Sequence, residues 1–489
     1  MALFNFKAKK ENKAVNLAGG AAYVQTPETA LASLLLTSFV QDQFYRDTNQ
    51  AKADLAALMA KVDPLFAAKA GIYARNVYGM RSITHVLAVE LVAAASGKTW
   101  AKSFYESLIR RPDDMLEIAA LYRSLGGKNL PNAMKKGFAA AFDRFDGYQL
   151  AKYRGEDKTF KLVDLVNLVH PVASGKNGEA LRLLVEGKLK NQDTWEAKLS
   201  EAGQVAASDA EKSEMKATAW SELISSGKLG YLALLRNIRN IAEQAPELEA
   251  DVAKALTNRE RIKKSLVMPF QIMVAMEALE ASSVVEKRKL LNALTDALDI
   301  SLDNVPRFEG KTLVVLDDSG SMTARAKGNG FGSRSCLELG AMFAAALFKS
   351  NNADLMRFSD DASYVRANAR DSVMTIAGNL IRNAKASGTD FHQIFMVAAK
   401  AYDRIVILSD MQGWMSVGTP NGAFVQYQKR SGANPFVYSF DLAGYGSLQL
   451  PESKICCLAG FSDKVFDTMK MLETDRHALV NTIHAVDLN

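Results

Sequence analysis

The chain has 489 residues, 48% hydrophobic and 23% charged, with a formal net charge of +6. That length allows roughly two to four domains with ample core, and the composition is that of an ordinary globular protein, which excludes fibrous, disordered and disulfide-scaffolded classes. The three cysteines, Cys336, Cys456 and Cys457, lack the paired spacing of a disulfide framework or a structural zinc site, and no apolar run reaches the ~18 residues of a membrane span.

Residues 1–310 carry 42 Lys and Arg against 37 Asp and Glu, whereas residues 311–489 carry 18 against 17. The basic surplus therefore sits in the first part and admits an acidic or nucleic-acid partner. Residues 1–25 form an N-terminal arm with several lysines and no apolar stretch of signal-peptide length, so the cytoplasm is the expected location. Adjacent Cys456 and Cys457 read as small buried apolar residues.

From Thr26 to about Leu298 the pattern is helical. Thr26-Pro27-Glu28 is a cap with proline in the first turn, and Ala30, Leu31, Leu34 and Leu35 fall on one face. Asp63-Pro64, Arg111-Pro112-Asp113-Asp114 and Leu130-Pro131-Asn132 repeat the start signal, while Gly97, Gly126-Gly127 and Gly227 mark stops. Helices of about 12–18 residues joined by short turns point to stacked helical hairpins of the solenoid kind over residues 26–305. An irregular helical domain is the alternative. His85, among Val86, Leu87 and Val89, reads as a satisfied core or boundary histidine.

Between Lys128 and Lys161 lie eight basic residues, Lys135, Lys136, Lys152 and Arg154 among them, offset by four acids. Phe138, Phe142, Phe145, Tyr148 and Tyr153 are interleaved. Lysine and arginine neutralise phosphates, and aromatic rings stack on unpaired bases. The plainer alternative is a solvated helix face over core phenylalanines. Leu162, Leu165, Val166 and Val169 make an apolar stripe that ends at His170, where Pro171 stops the helix. The histidine is expected at an accessible helix end, as a cap or as a ligand contact. Arg236 and Arg239 flank an apolar helix, and Arg259–Lys264 and Lys287–Lys289 are further basic clusters that face either RNA or water.

At Ser301–Gly310, framed by Pro306 and Gly310, the period changes, and residues 306–489 alternate strands with helices. Strands are expected at Lys311–Leu316, Asp354–Phe358, Ala362–Val365, Arg404–Leu408 and Pro435–Phe440. Helices are expected at Ser335–Lys349, Ser372–Ala384 and, after the polar turn Ser387-Gly388-Thr389-Asp390, to about Tyr402. The first strand runs into Asp317-x-Ser319-x-Ser321. Thr389 and Asp410 follow at the same C-terminal sheet edge, where open α/β sheets bind ligands. Two carboxylates and three hydroxyls suit Mg²⁺ or another hard divalent cation, whereas zinc wants nitrogen or sulfur. A hydrogen-bonded loop cluster without metal is the alternative.

Residues 313–410 resemble a von Willebrand factor A domain with a metal-ion-dependent adhesion site, through Asp317, Ser319, Ser321, Thr389 and Asp410. The whole chain resembles the Ro ribonucleoprotein family, whose TROVE module precedes such a domain, as a bacterial or phage member. Lys152-Tyr153-Arg154, Asp164-Leu165 leading to His170-Pro171, Leu234-Leu235-Arg236-Asn237 and Gly388-Thr389-Asp390 carry the likeness. It implies a multidomain chain: an all-α, HEAT-like helical-repeat ring closed by an α/β, Rossmann-like A domain. It further implies a non-enzymatic RNA-binding protein. Y-like noncoding RNA would bind the outer surface, at His170 with Lys152, Arg154, Lys135 and Lys136. Single-stranded ends of misfolded RNA would enter the central hole, with Arg236 and Arg239 as lining. The family acts in RNA quality control, maturation or decay, in bacteria with an exoribonuclease. The cation's open position would take an acidic side chain of a protein partner. The competing readings are a metal-dependent interaction scaffold without RNA and a metal-dependent phosphatase or nuclease. The last lacks an evident general base or second metal cluster in the sequence.

Overall fold

The computed structural model describes residues 13–15, 21–23, 26–37, 48–156, 158, 160–173, 175–189, 209–226, 229–305, 307–323, 335–413, 420–442, 455–458, 469 and 478–488. Asp157, Gly227, Pro306, most of the 1–25 arm and the side chains of Cys456 and Cys457 lie outside the described residues. The chain divides into two compact units, one of Met1–Asp54, Pro306–Phe461 and Val465–Val480, the other of Leu55–Val305, Ser462–Lys464 and Asn481–Asn489. No helix among the described residues is long and apolar enough to cross a membrane.

The α/β unit begins with a short antiparallel pair, β1 (Lys13–Val15) and β2 (Ala21–Tyr23), followed by helix α1 (Pro27–Thr37). Helix α2 (Thr48–Met59) leads into the helical unit. There follow α3 (Pro64–Asn76), α4 (Ser82–Glu90), α5 (Val92–Ala95), α6 (Ala101–Leu108), α7 (Pro112–Ser124), α8 (Asn132–Ala141), α9 (Gly147–Lys152), α10 (Leu162–Val169) and α11 (Gly178–Val185). After these come α12 (Asp209–Ser225), α13 (Tyr231–Arg236), α14 (Ile238–Gln244), α15 (Glu249–Leu256), α16 (Arg259–Ser265), α17 (Pro269–Glu280) and α18 (Arg288–Ser301).

The start signals act locally as the residues dictate. Asp63 accepts from the Leu65 amide at 3.3 Å with Pro64 in the first turn of α3. Many helices are shorter than the expected 12–18 residues: α9 and α13 have 6 each and α10 has 8. One break has a visible cause. The Asn237 side chain donates to the Ala233 carbonyl at 2.9 Å, and its backbone leaves helical geometry between α13 and α14. Close helix approach needs Gly137 of α8, where a Cβ would lie 2.7 Å from the Lys102 carbonyl oxygen of α6. Phe138, Phe142 and Phe145 are core, not stacking platforms, whereas Tyr148 is exposed and Tyr153 half-buried.

In the α/β unit, β3 (Thr312–Asp317), β4 (Asp354–Phe358), β5 (Ala362–Tyr364), β6 (Arg404–Ser409), β7 (Phe436–Asp441) and β8 (Ile455–Leu458) form one sheet in the order β5-β4-β3-β6-β7-β8. All pairings are parallel except the β4–β5 hairpin. Helices α19 (Cys336–Asn351), α20 (Val373–Arg382), α21 (His392–Val397) and α22 (Pro420–Ser431) follow the strands, and α23 (Ala478–His484) ends the chain's helices. Central strands β3 and β6 are buried along their whole length, which explains their unbroken apolar runs. Ser335 caps α19 in a capping box with Glu338. Helix α21 stops at Val397 rather than near Tyr402, because Arg430 of α22 donates to the Phe395 and Ala398 carbonyls, both at 2.9 Å. Sequence reading did not anticipate β8, α22 or α23.

Candidate functional site

Strands β3 and β6 lie side by side in parallel register, Leu316 opposite Leu408, so Asp317 and Asp410 leave the sheet at one edge. The loop after β3 turns at once. The Ser319 amide donates to Asp317 Oδ1 at 2.9 Å, and the Ser319 and Ser321 hydroxyls stand 3.4 Å apart. The Ser321 hydroxyl in turn hydrogen-bonds the Asp410 carboxyl. Two backbone bonds staple the loop carrying Thr389 to this one: Gly320 N to Ser387 O at 2.8 Å and Ala386 N to Asp318 O at 2.9 Å. Ala386 and Met411, which flank the second and third loops, both adopt left-handed backbone with φ of 53° and 61°. Such conformations are costly for residues with a Cβ and collect where loop geometry is held for function.

Asp317, Ser319, Thr389 and Asp410 are all buried. Burial raises both carboxyls above the ordinary range; the charge of Asp318 adds to the rise at Asp317 and that of Asp317 to the rise at Asp410, despite the hydroxyl bonds that oppose the shift. Among the described residues neither carboxylate pairs with a lysine or arginine. Neighbouring Asp318 is committed elsewhere, to Arg357 Nη1 at 3.2 Å. Two uncompensated buried carboxylates with adjacent hydroxyls form a donor set that fits a hard divalent cation.

Two members of this cluster escaped sequence reading. Ser409 donates to Asp317 Oδ2 at 2.5 Å and accepts from the Met411 amide at 2.9 Å, so it orients the first carboxylate. Asp441 ends β7 opposite Ser409, and its charge pushes Asp410 up. The signal was present, since β7 ends in Asp as β3 does. Burial pushes the Cys336 thiol up, and the three acids add to it, so the structure holds an inert small core residue there.

In the helical unit, His170 is the C-cap of α10 with φ 49° and ψ 63°, its amide donating to the Val166 carbonyl at 2.9 Å. Left-handed caps favour glycine, and histidine is tolerated better than bulky apolar residues. Its side chain is exposed, while Leu162, Leu165, Val166 and Val169 are buried as their spacing predicts. Lys152 is exposed at the end of α9, with its ammonium 5.9 Å from the Tyr153 ring; the Arg111 guanidinium lies 4.7 Å from the same ring. Lys136 is exposed and Lys135 half-buried on α8. Arg154 is drawn into the fold, donating to the Leu189 carbonyl at 2.6 Å, so it serves as an anchor more than as an offered charge. Arg236 and Arg239 are exposed, at the end of α13 and the start of α14.

The TROVE domain model matches residues 25–186 and 185–307. The chain belongs to the TROVE family. The RNA-binding protein RO60 of Deinococcus radiodurans is 23% identical over 473 residues, covering 87% of this chain and 88% of that protein. Telomerase protein component 1 of Mus musculus is 23% identical over 351 residues, 53% of this chain. The chain spans only 13% of that protein's length. The crystal structure of the Deinococcus radiodurans Ro (RSR) protein superposes with a TM-score of 0.62 at 17% identity, covering 94% of this chain and 99% of that one. The TROVE chain thus shares the Ro fold, HEAT-like helical repeats with an A-type α/β domain.

Proposed function

We propose that this TROVE protein is a non-enzymatic RNA-binding protein of the cytoplasm, taking small structured, Y-like noncoding RNA on the helical surface around His170. Exposed His170, displayed by the left-handed end of α10, carries the reading, with Lys152, Lys135 and Lys136 as phosphate contacts. Its Deinococcus relative, an RNA-binding protein, supports it. The same proposal has single-stranded ends of misfolded RNA entering a central hole past Arg236 and Arg239, and a role in RNA quality control, maturation or decay, with an exoribonuclease as one partner. Filter binding of a small structured RNA across a salt series tests it. Combining His170→Ala with Lys152→Ala should weaken binding by about tenfold or more and lower the log–log salt slope by about 1 for the lost lysine. A double variant that binds as tightly as the parent, with the same slope, removes this surface from the interface.

The carboxylate and hydroxyl cluster favours a second, compatible reading. Mg²⁺ held by Asp317, Ser319, Ser321, Thr389 and Asp410 would keep a position for an acidic side chain of a protein partner, which makes the A domain a docking device. Capture of a protein by the immobilised chain should require Mg²⁺, survive ribonuclease and fail with Asp317→Ala. Capture that persists in EDTA removes the metal from the contact.

A further inference from the structure

A cleft of about 290 Å³ opens in the helical unit between α12, α15 and α16. That is close to the ~300 Å³ lower end of small-molecule sites, so it fits one small ligand and no folded partner. Its lining is mixed. Ile224 of α12 and Leu248, just before α15, are apolar, and Asp251, Lys254, Asn258 and Arg261 are polar. Asp251 and Lys254 stand three residues apart on α15, hence on one helical face. Among the described residues neither has an ion-pair partner.

The basic cluster Arg259–Lys264 divides its work here. Arg259 is tied to Asp303, and Lys263 and Lys264 are exposed in the last turn of α16. Arg261 lines the cleft, with its Nη2 donating to the Leu229 carbonyl. A guanidinium has five N–H donors, so this anchor holds the group in place and leaves others for a ligand. Asn258 Oδ1 accepts from the Arg261 amide at 3.0 Å, which leaves the side-chain N–H₂ to donate. Two cations and an amide donor against one carboxylate favour an anionic group in the cleft. Asp251 repels an anion and accepts from hydroxyls, and the apolar lining residues suit the face of a base.

We propose that this cleft binds a single ribonucleotide, with its phosphate on Lys254 and Arg261, its ribose hydroxyl on Asp251 and its base against Ile224 and Leu248. The site is separate from the His170 surface and does not depend on that surface binding RNA. The same chemistry comes from a free mononucleotide or from one nucleotide of a single strand.

Calorimetric titration of the full chain with the four ribonucleoside 5′-monophosphates and their 2′-deoxy counterparts tests the assignment. At least one ribonucleotide should bind, with its deoxy form about fivefold weaker or more, the loss of one hydrogen bond to a charged group. Lys254→Glu should weaken binding at least about tenfold with an unchanged melting temperature. Asp251→Ala should bring the ribo and deoxy affinities together while phosphate binding persists. The Arg261 anchor makes its substitution a risk to folding, so the case rests on Lys254 and Asp251. Competition by a short single-stranded RNA, lost with Lys254→Glu, assigns the site to a strand; displacement by mononucleotides alone assigns it to free nucleotide. No binding of any ribonucleotide at millimolar concentration overturns the proposal, as does equal binding of ribo and deoxy forms or binding indifferent to Lys254→Glu.

Discussion

Asp114→Ala is expected to destabilise the helical unit by about 3–5 kcal/mol, the range for breaking a buried ion pair while its partners stay buried. Asp114 is fully buried at the start of α7, and five donors converge on it. Arg75 Nη2 and Arg81 Nε reach it at 2.7 and 2.8 Å, and His85 Nε2 lies at 3.2 Å. The Arg110 and Arg111 amides donate at 3.0 and 2.9 Å, which caps the helix. A carboxylate has about four lone-pair sites, so this one is saturated. Its loss would strand Arg75, itself buried, with no other carboxylate partner among the described residues. For a unit of this size the loss corresponds to a fall of roughly 6–20 °C in melting temperature. Asp114→Asn should recover only part of it, because the amide keeps shape but not charge.

The same hub sets an acid limit. Burial alone would raise the Asp114 carboxyl, but the His85 hydrogen bond and the Arg75 and Arg81 contacts outweigh it and hold the group well below the usual carboxylate range. A depressed carboxyl adds stability that is complete above its unfolded pKa of about 3.9 and lost as pH falls from there. The parent should therefore gain over Asp114→Asn at every pH above about 4 and converge with it in strong acid. A constant difference down to pH 2 in denaturant titrations counts against the charge argument.

How much of this was legible depended on whether a residue's role is local. The β3 strand and its Asp317-x-Ser319-x-Ser321 loop stand out because a central parallel strand is buried on both faces and ends abruptly at the ligand edge. His170 was legible for the same reason, since an apolar stripe ending in His-Pro fixes a helix end. Asp114 was not. Asp113-Asp114 after Pro112 reads as an ordinary helix start, and its partners Arg75, Arg81 and His85 lie 29–39 residues away on other helices. Only packing of α3, α4 and α7 brings them together. Phe138, Phe142 and Phe145 suit the core more plainly than they suit bases, and their burial decides it for the core. The end of α21 was hidden likewise, because the side chain that caps it, Arg430, comes from a later helix.

Divalent cation should shift the α/β unit in the opposite direction from the Asp114 variant. Asp317 and Asp410 are buried, the charge of Asp317 raises Asp410, and Asp441 raises Asp410 further while Asp318 raises Asp317. Without a cation, folding must therefore hold like charges, or protonated acids, out of water. A cation that binds only the folded cluster adds about 2.7 kcal/mol at one hundred times its dissociation constant. For a unit of this size that is a rise of roughly 5–10 °C in the melting transition assigned to it. Asp410→Asn removes one of the repelling charges and keeps its shape. In EDTA it should melt at or above the parent, yet it should show no shift with Mg²⁺ up to 10 mM, a ceiling of about 10⁻² M chosen to cover weak oxygen sites. The pairing of outcomes is what discriminates. A purely structural hydrogen-bonded loop would make Asp410→Asn less stable in EDTA, because the Ser321 bond weakens with the charge. A cation centre makes the variant no worse without metal and indifferent to it. A parent indifferent to Mg²⁺, Mn²⁺ and Ca²⁺ alike would leave the cluster as loop architecture, and the docking role of the A domain would fall with it.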